Sequence, residues 1–427
     1  MLGAVDIKTG TGGDPLEGWS LPAWTYADPE FAAVEAERIF RPSWQIVCHA
    51  SDVPNAGDWH SLDYIGESVI VVRGKDDVLR AFTNVCRHRG SRLVGGASGC
   101  AKKLVCPYHA WTYDLDGRLT GVPDSATYPT LDRSKAGLVP VDVEEWQGFV
   151  FMRLSPPHPQ DGEGDHAQHG GGVFSSGADT PPPPSGWSPS PSDAWGGNSV
   201  AAMLAPYLDQ IAPYRFADLR ALGRVTLRPR DVNWKNVGDN YSDGLHIAPA
   251  HPGLTRLFGK SYGVEAERHV DRMWGDLVER PSSNWSERLY QRLLPPVPHL
   301  PPANQRRWLY FKLWPNIAFD IYPDQIDFMQ WLPTGPTSCI IREISYVLPD
   351  SRREMRAARY LNWRINRQVN AEDTLLITRV QQGMASRSFT MGPLSDKEVC
   401  LKQFCRRMRD IIPEARREQA PAAGWSK

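Results

Sequence analysis

The chain has 427 residues, of which 41% are hydrophobic and 10% aromatic, enough to bury cores in two or three domains of ordinary size. Its 48 Lys and Arg residues are balanced by 49 Asp and Glu residues, which excludes a strong overall field for nucleic acid. No apolar run approaches the ~20 residues that span a bilayer, and the first residues lack a signal-peptide pattern. Composition therefore predicts a cytoplasmic protein that binds neither nucleic acid nor membrane.

The first half of the chain contains three predicted segments. Residues 1–40 are predicted to form an N-terminal helical segment that packs on the C-terminal domain. Residues 41–155 alternate short strands with turn signals, which predicts a small all-β domain. Residues 156–199 are rich in Gly, Pro and Ser and have few aliphatic side chains, so they predict a flexible insertion.

The second half, residues 200–427, predicts a domain that mixes helices with an antiparallel meander, so the whole chain belongs to the α+β class. The meander is indicated by four strand-like runs with short turns, at 308–314, 317–322, 327–332 and 339–348. After it, Ser351 and Glu354 fit a capping box that would begin a helix running to about Gln382, where Gly383 would end it.

One motif lies in the predicted β domain. Cys86 and His88 stand in one short loop, and Cys106 and His109 follow in a second loop. A zinc site is one interpretation, but zinc fingers usually pair Cys with Cys and His with His in sequence. The mixed loops suit a [2Fe–2S] cluster with Cys on one iron and His on the other. We expect such a cluster to relay electrons.

A second set of metal-binding side chains lies in the C-terminal domain. Asp243, His246 and His251 fall within nine residues. On a helix, Asp243 and His246 would share a face, and Pro249 would bend the chain so that His251 turns back toward the same point. Two imidazoles and a carboxylate suit ferrous iron. The string alone fits surface or core His residues equally well.

A further carboxylate comes from the predicted C-terminal helix. Its apolar stripe comprises Ile365, Val369, Leu376 and Val380. Asp373 falls on that stripe, where an apolar residue is expected. An unpaired buried carboxylate is costly, so Asp373 should meet either a metal or an Arg side chain. Glu372 is the competing ligand, but it points about 100° away and is expected in solvent.

These motifs together resemble the catalytic alpha subunit of the Rieske non-heme iron oxygenases, also called ring-hydroxylating oxygenases. The resemblance is carried by CRHRG at 86–90, CPYHAW at 106–111 and DNYSDGLHIAPAH at 239–251. It implies a Rieske domain at 41–155 and a helix-grip catalytic domain with an antiparallel sheet at 200–427. The implied cluster ligands are Cys86, His88, Cys106 and His109, and the implied ligands of mononuclear Fe(II) are His246, His251 and Asp373.

The resemblance also implies how electrons travel. Asp243 would bridge a cluster ligand of one subunit to an iron ligand of its neighbour, from His109 to Asp243 to His246, which calls for a homotrimer. Asn236 and Asn240 match polar positions near the iron. No G-x-G-x-x-G motif stands between a strand and a helix, so we expect a separate NAD(P)H-dependent reductase, with or without a ferredoxin.

For the substrate, the 239–251 motif resembles that of oxygenases acting on aromatic rings. Relatives that oxidise quaternary amines often carry Glu where this chain has Asp243, so we expect dioxygen-dependent hydroxylation of an aromatic ring or aromatic acid. The alternative is a monooxygenase that hydroxylates or demethylates a quaternary or methylated amine of the choline, betaine or carnitine kind, because residues 21–40 and 372–384 resemble those relatives. A second alternative is a non-catalytic Rieske electron-transfer protein.

Overall fold

A computed structural model describes residues 16–154 and 199–426. Except for Ser199, the predicted insertion at 156–199 lies outside the described residues, and the four-part domain division stays a prediction. The strands of the described residues are β1 (Gln45–His49), β2 (Asp58–Tyr64), β3 (Glu67–Arg73), β4 (Leu79–Thr83), β5 (Ser98–Cys100), β6 (Leu104–Val105), β7 (Thr112–Tyr113), β8 (Leu119–Gly121), β9 (Pro140–Trp146), β10 (Phe149–Arg153), β11 (Arg220–Arg230), β12 (Gly263–Ala266), β13 (Val270–Asp276), β14 (Arg307–Leu313), β15 (Ile317–Ile321), β16 (Ile326–Gly335) and β17 (Ser338–Val347).

The α-helices of the described residues are mostly short, and one of them is long. They are α1 (Pro29–Glu35), α2 (Val200–Leu204), α3 (Leu208–Ile211), α4 (Trp234–Ser242), α5 (Ile247–Ala250), α6 (Pro252–Phe258), α7 (Trp285–Leu293), α8 (Arg353–Met384) and α9 (Val399–Ile411). None of the helices in this part of the chain is both long and apolar enough to cross a bilayer.

The N-terminal half forms two antiparallel sheets. The larger has the strand order β1-β10-β9-β4-β3-β2-β5, and the smaller has the order β6-β7-β8. Alternating strand residues point to opposite faces. One face of the large sheet and the small sheet therefore enclose a core that includes Ile70, Val72, Leu104 and Tyr113, each fully buried.

The C-terminal half is built on one antiparallel sheet with the order β11-β17-β16-β15-β14-β13-β12. The predicted meander is confirmed, because β14 to β17 pair in succession. Strand β11 was not predicted, because its sequence RALGRVTLRPR has few apolar residues. This strand lies at the sheet edge and stays largely exposed, so it needs little apolar surface.

Helix α8 runs for 32 residues and differs from its prediction at both ends. No capping box forms: the residue before the helix is Arg352, whose N–H donates to Asp350 Oδ1 at 2.9 Å. Gly383 lies inside the last turn and does not end the helix. Val380 is 46% exposed, whereas Ile377 is 3% exposed, so the buried stripe follows a slightly different line from the predicted one.

Strand β1 of the first half packs against β16 and β17 of the second. Arg342 is buried there and donates from Nη1 to Ile46 O at 3.0 Å and from Nη2 to Val47 O. Gln45 donates to Asn316 Oδ1 at 3.0 Å and accepts a hydrogen bond from Gln330 at 2.7 Å. These buried polar contacts fix the two halves in register, since each unsatisfied group would cost free energy.

The N-terminal segment packs on α4. Lys235 Nζ lies 2.5 Å from Glu35 Oε1, and both side chains are essentially buried. Trp234 Nε1 also donates to Glu35, at 3.0 Å, and the Tyr26 hydroxyl donates to Asp239 Oδ2 at 2.6 Å. Helix α4 is thus held at both of its buried faces, against the sheet and against the segment that precedes β1.

Candidate metal centres

Two loops of the same shape carry the Cys and His residues of the first motif. The backbone N–H of Cys86 and that of Cys106 each donate to the carbonyl five residues ahead, at 2.8 Å. The carbonyl of each Cys accepts the N–H four residues ahead, at 3.0 Å. That fourth residue is left-handed in both loops, with φ of 72° at Gly90 and 54° at Ala110. Each loop is therefore closed into a tight turn that presents one sulfur and one imidazole.

The two loops meet, and their side chains fit a [2Fe–2S] cluster. The rings of His88 and His109 are 4.7 Å apart between centroids, and Cys86 and Cys106 are both 2% exposed and within contact of each other. Nδ1 of His88 and of His109 is buried without a hydrogen-bond partner among the described residues. Buried polar atoms seldom stay unpartnered. Two buried sulfurs with two unpartnered nitrogens are the donor set that a Rieske cluster requires.

Tyr113 supplies a hydrogen bond to this site. Its hydroxyl lies 3.4 Å from Cys86 Sγ and accepts the N–H of Arg87 at 3.0 Å, which leaves its proton available to the sulfur. Burial raises the pKa of the Cys86 thiol. Burial also acts to raise the pKa of Cys106, but backbone N–H groups two and three residues ahead donate to that sulfur and lower it overall. These N–H groups favour the thiolate, which is the form that binds iron.

The second set of side chains converges as well. Asp373 Oδ1 lies 3.0 Å from His251 Nε2 and 3.6 Å from His246 Nε2, and the three ligand atoms lie within 4.8 Å of one another. His251 is 1% exposed, and the other two are partly exposed. Two imidazoles and one carboxylate on one side of a point leave its other side open, which suits Fe(II).

The local structure differs from the expected single helix. Helix α4 ends at Ser242, and α5 begins at Ile247, so Asp243 and His246 lie in the break between the helices. The expectation that they share a helical face is wrong, because the chain leaves the helix at Asp243, whose carboxylate accepts the N–H of Leu245 at 2.7 Å. Asp243 Oδ2 still lies 3.3 Å from His246 Nδ1.

Two residues next to the triad hold it in place. Glu372 Oε2 lies 2.8 Å from His251 Nδ1, so the expectation that Glu372 sits in solvent is wrong. Nδ1 of His251 contacts Glu372 and Nε2 contacts Asp373, so this one imidazole touches two successive residues of α8. Asn240 Nδ2 donates to Asp373 Oδ1 at 2.8 Å, whereas Asn236 donates to Gln381 and does not touch the triad.

The triad attracts positive charge. Burial acts to lower the pKa of His246, but the nearby carboxylates of Asp243 and Asp373 raise it to about 9. Burial acts to raise the pKa of Asp373, but hydrogen bonds from the two imidazoles lower it to about 2. Without a metal, protonated imidazoles supply the positive charge next to these carboxylates. A divalent cation bound at the triad would supply that charge instead. The side chains therefore fit a metal ion.

A cavity of about 110 Å³ lies beside the triad, between α4, α8 and the sheet. Its sheet wall carries Asp320 on β15 and Asp327 on β16, which are direct partners in the strand register. Neither carboxylate forms an ion pair with a basic side chain of the described residues, although like charges directly opposite each other are destabilising. Tyr241 donates to Asp320 Oδ1 at 2.5 Å, and Tyr310 lines the same wall.

Burial raises the pKa of Asp320 to about 7 and that of Asp327 well above its usual value. These acidic groups were not identified from the sequence. The available signal was one acidic residue in each of two mainly apolar strands, IAFDI and IDFMQWLPTG. A cavity with this lining favours a cationic ligand, because a cation offsets the cost of burying the two carboxylates.

Comparisons with known proteins agree with this architecture. A model of the "Rieske [2Fe-2S] domain" matches residues 43–132, and a model of the "Ring hydroxylating alpha subunit (catalytic domain)" matches residues 216–414. The chain is similar to the carnitine monooxygenase oxygenase subunit of Escherichia coli strain K12, with 35% identity over 62% of this chain and 59% of that relative. It is also similar to the subunit of the same name from Acinetobacter pittii, with 28% identity over 88% of each chain.

A solved structure shares the fold. A quaternary ammonium Rieske monooxygenase, crystallised with an inhibitor, superposes with a TM-score of 0.70 over 92% of this chain and 94% of that chain, at 23% identity. The chain spans 59% of the length of the Escherichia coli relative in the matched segment.

The relatives overturn the expected aromatic substrate. They are named carnitine, glycine betaine or choline monooxygenases, so the prediction of a dioxygenase that hydroxylates an aromatic ring or aromatic acid is wrong. The physical reason lies in the cavity, because a neutral aromatic ring would desolvate Asp320 and Asp327 without compensating their charge. The identity of the carboxylate at Asp243 was too weak a signal to decide the substrate class.

Both family models match this chain, and the structure brings together the two sets of candidate metal ligands that such proteins need. The chain belongs to the Rieske non-heme iron oxygenases, a family of oxidoreductases whose cofactors are a [2Fe–2S] Rieske cluster and a mononuclear iron.

Proposed function

We propose that this protein is the oxygenase component of a monooxygenase that hydroxylates or demethylates a quaternary or methylated ammonium compound. The observation that carries the proposal is the register pair Asp320 and Asp327, which lines the cavity beside the triad and has no ion-pair partner among the described residues. The names of the relatives support the same substrate class.

The cavity lining suits an ammonium group that lacks N–H donors. Asp320 Oδ1 already accepts the Tyr241 hydroxyl, and Oδ2 lies 3.5 Å from the Tyr322 hydroxyl. Its lone pairs are therefore partly used, while its charge remains available. A methylated ammonium needs charge and aromatic rings rather than hydrogen-bond acceptors, and Tyr241, Tyr310 and Tyr322 all line the cavity.

In this proposal, His246, His251 and Asp373 hold ferrous iron. When bound there, the iron supplies the site at which dioxygen is activated. Glu372 orients the His251 ring through Nδ1, and Asn240 orients the Asp373 carboxylate. The ligand oxygen and nitrogens are thereby held before substrate binds, as outer hydrogen bonds do in other metal sites.

Cys86, Cys106, His88 and His109 would hold the Rieske cluster, which supplies electrons one at a time. Asp243 lies 3.3 Å from His246 Nδ1 and keeps a side chain that is 20% exposed. We propose that its free edge meets His109 of a neighbouring subunit in a homotrimer, and that a separate NAD(P)H-dependent reductase, with or without a ferredoxin, reduces the cluster.

In a demethylation, a methylated ammonium, dioxygen, two electrons and two protons give the protonated amine, formaldehyde and water. The carbon–nitrogen bond breaks, one oxygen atom enters formaldehyde and the other enters water.

The test is a single turnover of reduced, iron-replete protein under ¹⁸O₂ with γ-butyrobetaine, L-carnitine, glycine betaine and choline, and with benzoate as the aromatic-acid control. Mass spectrometry should detect a dealkylated amine with an aldehyde, or one added ¹⁸O atom, from at least one ammonium compound. Product from benzoate alone, or no product from any ammonium compound while O₂ is consumed, would refute the proposal.

A further inference from the structure

The same cavity has a second, positively charged part on its β11 side. Arg228 and Arg230 both line the cavity. Arg228 Nη2 lies 2.9 Å from Glu343 Oε2, so its charge is matched within the protein. Arg230 forms no ion pair within the described ranges, and its hydrogen bonds go only to Pro229 O at 3.0 Å and Thr374 Oγ1 at 3.3 Å.

Arg230 is incompletely satisfied. Its Nε is buried without a hydrogen-bond partner among the described residues. A guanidinium group has five N–H donors and remains charged at any ordinary pH, so a buried one normally finds an anion. Burial and the neighbouring Arg228 lower the pKa of Arg230, which shows that the site would gain from negative charge.

Arg230 also lies close to the metal site. Thr374, which accepts its hydrogen bond, follows the triad residue Asp373 in α8. The cavity that holds the triad therefore has carboxylates at one part of its wall and an unmatched guanidinium at another.

The sheet register sets the spacing of the two charged parts. On β17, Ser345 is the register partner of Asp327, and Cys339, six residues away, is the register partner of Arg230. At about 3.3 Å per residue, the backbone of Arg230 lies roughly 20 Å along the strand from that of the acidic pair. Arg230, Asp320 and Asp327 all line the one cavity, so their side chains shorten this separation to the length of a ligand several bonds long.

Resting on the proposed function, we infer that the substrate is a zwitterion, in which a methylated ammonium faces Asp320 and Asp327 and a carboxylate several bonds away binds Arg230. Arg230 is thus a specificity-determining residue. It selects carboxylated ammonium compounds against simple cations such as choline, because an unmatched guanidinium near the ligand repels a cation that carries no anion.

The test is calorimetric titration of the anaerobic holoenzyme with γ-butyrobetaine and with choline. Wild-type protein should bind γ-butyrobetaine more tightly. Arg230→Met should weaken γ-butyrobetaine binding about 10- to 100-fold, the loss expected for a charge-assisted hydrogen-bonded pair, and should leave choline binding unchanged or stronger. Arg224→Met is the matched control, since Arg224 lies on the same strand, is exposed and does not line the cavity.

If Arg230→Met weakens the binding of both ligands equally, or weakens neither, the inference is overturned and the proposed function still stands. Binding of neither ligand to wild-type protein overturns both. If Arg230→Met does not fold, as judged by its cluster spectrum, Arg230→Lys replaces it. This variant should bind γ-butyrobetaine more weakly and choline unchanged, and an unchanged affinity for γ-butyrobetaine would refute the role of Arg230.

Discussion

Replacing Glu372 with Ala should weaken Fe(II) binding although Glu372 is not a proposed ligand. Its carboxylate lies 2.8 Å from His251 Nδ1, and His251 is 1% exposed, so Glu372 is the partner that fixes this buried imidazole on the Nδ1 side. Without the carboxylate, the ring loses its fixed orientation and its basicity at Nε2 falls. Outer partners of metal-bound His residues typically contribute 10- to 100-fold in affinity, or about 1.4 to 2.7 kcal/mol.

Two further variants separate charge from orientation. Glu372→Gln keeps an oxygen that can accept from Nδ1–H but removes the charge, so its loss should be smaller than that of Glu372→Ala. Gln368→Ala is the matched control, because Gln368 donates to the other carboxylate oxygen of Glu372 at 2.9 Å and is exposed. This variant should change iron affinity by no more than about threefold, since exposed contacts contribute little.

The assay is anaerobic competition for Fe(II) with a chromogenic chelator, with the visible spectrum of the cluster recorded in parallel. The cluster spectrum should be the same in all variants. If Glu372→Ala binds Fe(II) within twofold of wild type, or if Gln368→Ala loses as much affinity, then the 2.8 Å contact does not support the metal site and the reasoning is refuted.

Three other predictions concern the relay and the cavity. Asp243→Asn should keep iron and cluster content but lower turnover at least about 100-fold, because a bridging carboxylate that fixes imidazole tautomers is lost; unchanged turnover would remove Asp243 from the route. Tyr113→Phe should lower the cluster potential by about 40 mV in a spectroelectrochemical titration, the equivalent of roughly 1 kcal/mol for one hydrogen bond to sulfur, and an equal or higher potential would contradict that bond. Burial raises the pKa of Asp320 to about 7, and Asp327 and Glu343, which face it, also have raised pKa values, so these acids are neutral at low pH. The affinity for γ-butyrobetaine should therefore fall as the pH drops below about 7. An affinity independent of pH from 6 to 8 would refute this.

Parts of each candidate metal site could be predicted because they are encoded locally. Cys86 and His88 stand two residues apart, and the turn that closes their loop needs only the left-handed residue at Gly90. His246 and His251 lie in one short segment, and Asp373 was selected as an acidic residue on a predicted apolar stripe. Asp373 is distant from His251 in sequence, so its place beside the two imidazoles was expected from the family resemblance.

The role of Glu372 could not be predicted in the same way. Helix geometry separates Glu372 from Asp373 by about 100°, which led to opposite expectations for the two. Both nevertheless reach His251, because that ring arrives from another part of the chain and has a nitrogen on each side. Only the tertiary structure shows where an approaching side chain lies.

The substrate class depended on contacts even further apart in sequence. Asp320 and Asp327 are adjacent only through the register of β15 with β16, and Arg230 joins them through β11, a strand that the sequence did not indicate. The motif around the iron is shared by oxygenases with different substrates, so it reports the chemistry and not the ligand. The charge pattern of the cavity became evident only when four neighbouring strands, β11, β17, β16 and β15, were placed side by side.

The buried pair of Glu35 and Lys235 connects the N-terminal segment to the proposed iron site. Lys235 lies in α4, and this helix also carries Asn240, which donates a hydrogen bond to the proposed iron ligand Asp373. Detaching the segment would leave a buried charge and loosen α4, so docking of the segment and metal binding are thermodynamically linked and each must favour the other equally. Iron binding should therefore slow amide hydrogen exchange in α1, Pro29–Glu35. Helix α1 offers no iron ligand, yet its packing contributes to the free energy of iron binding.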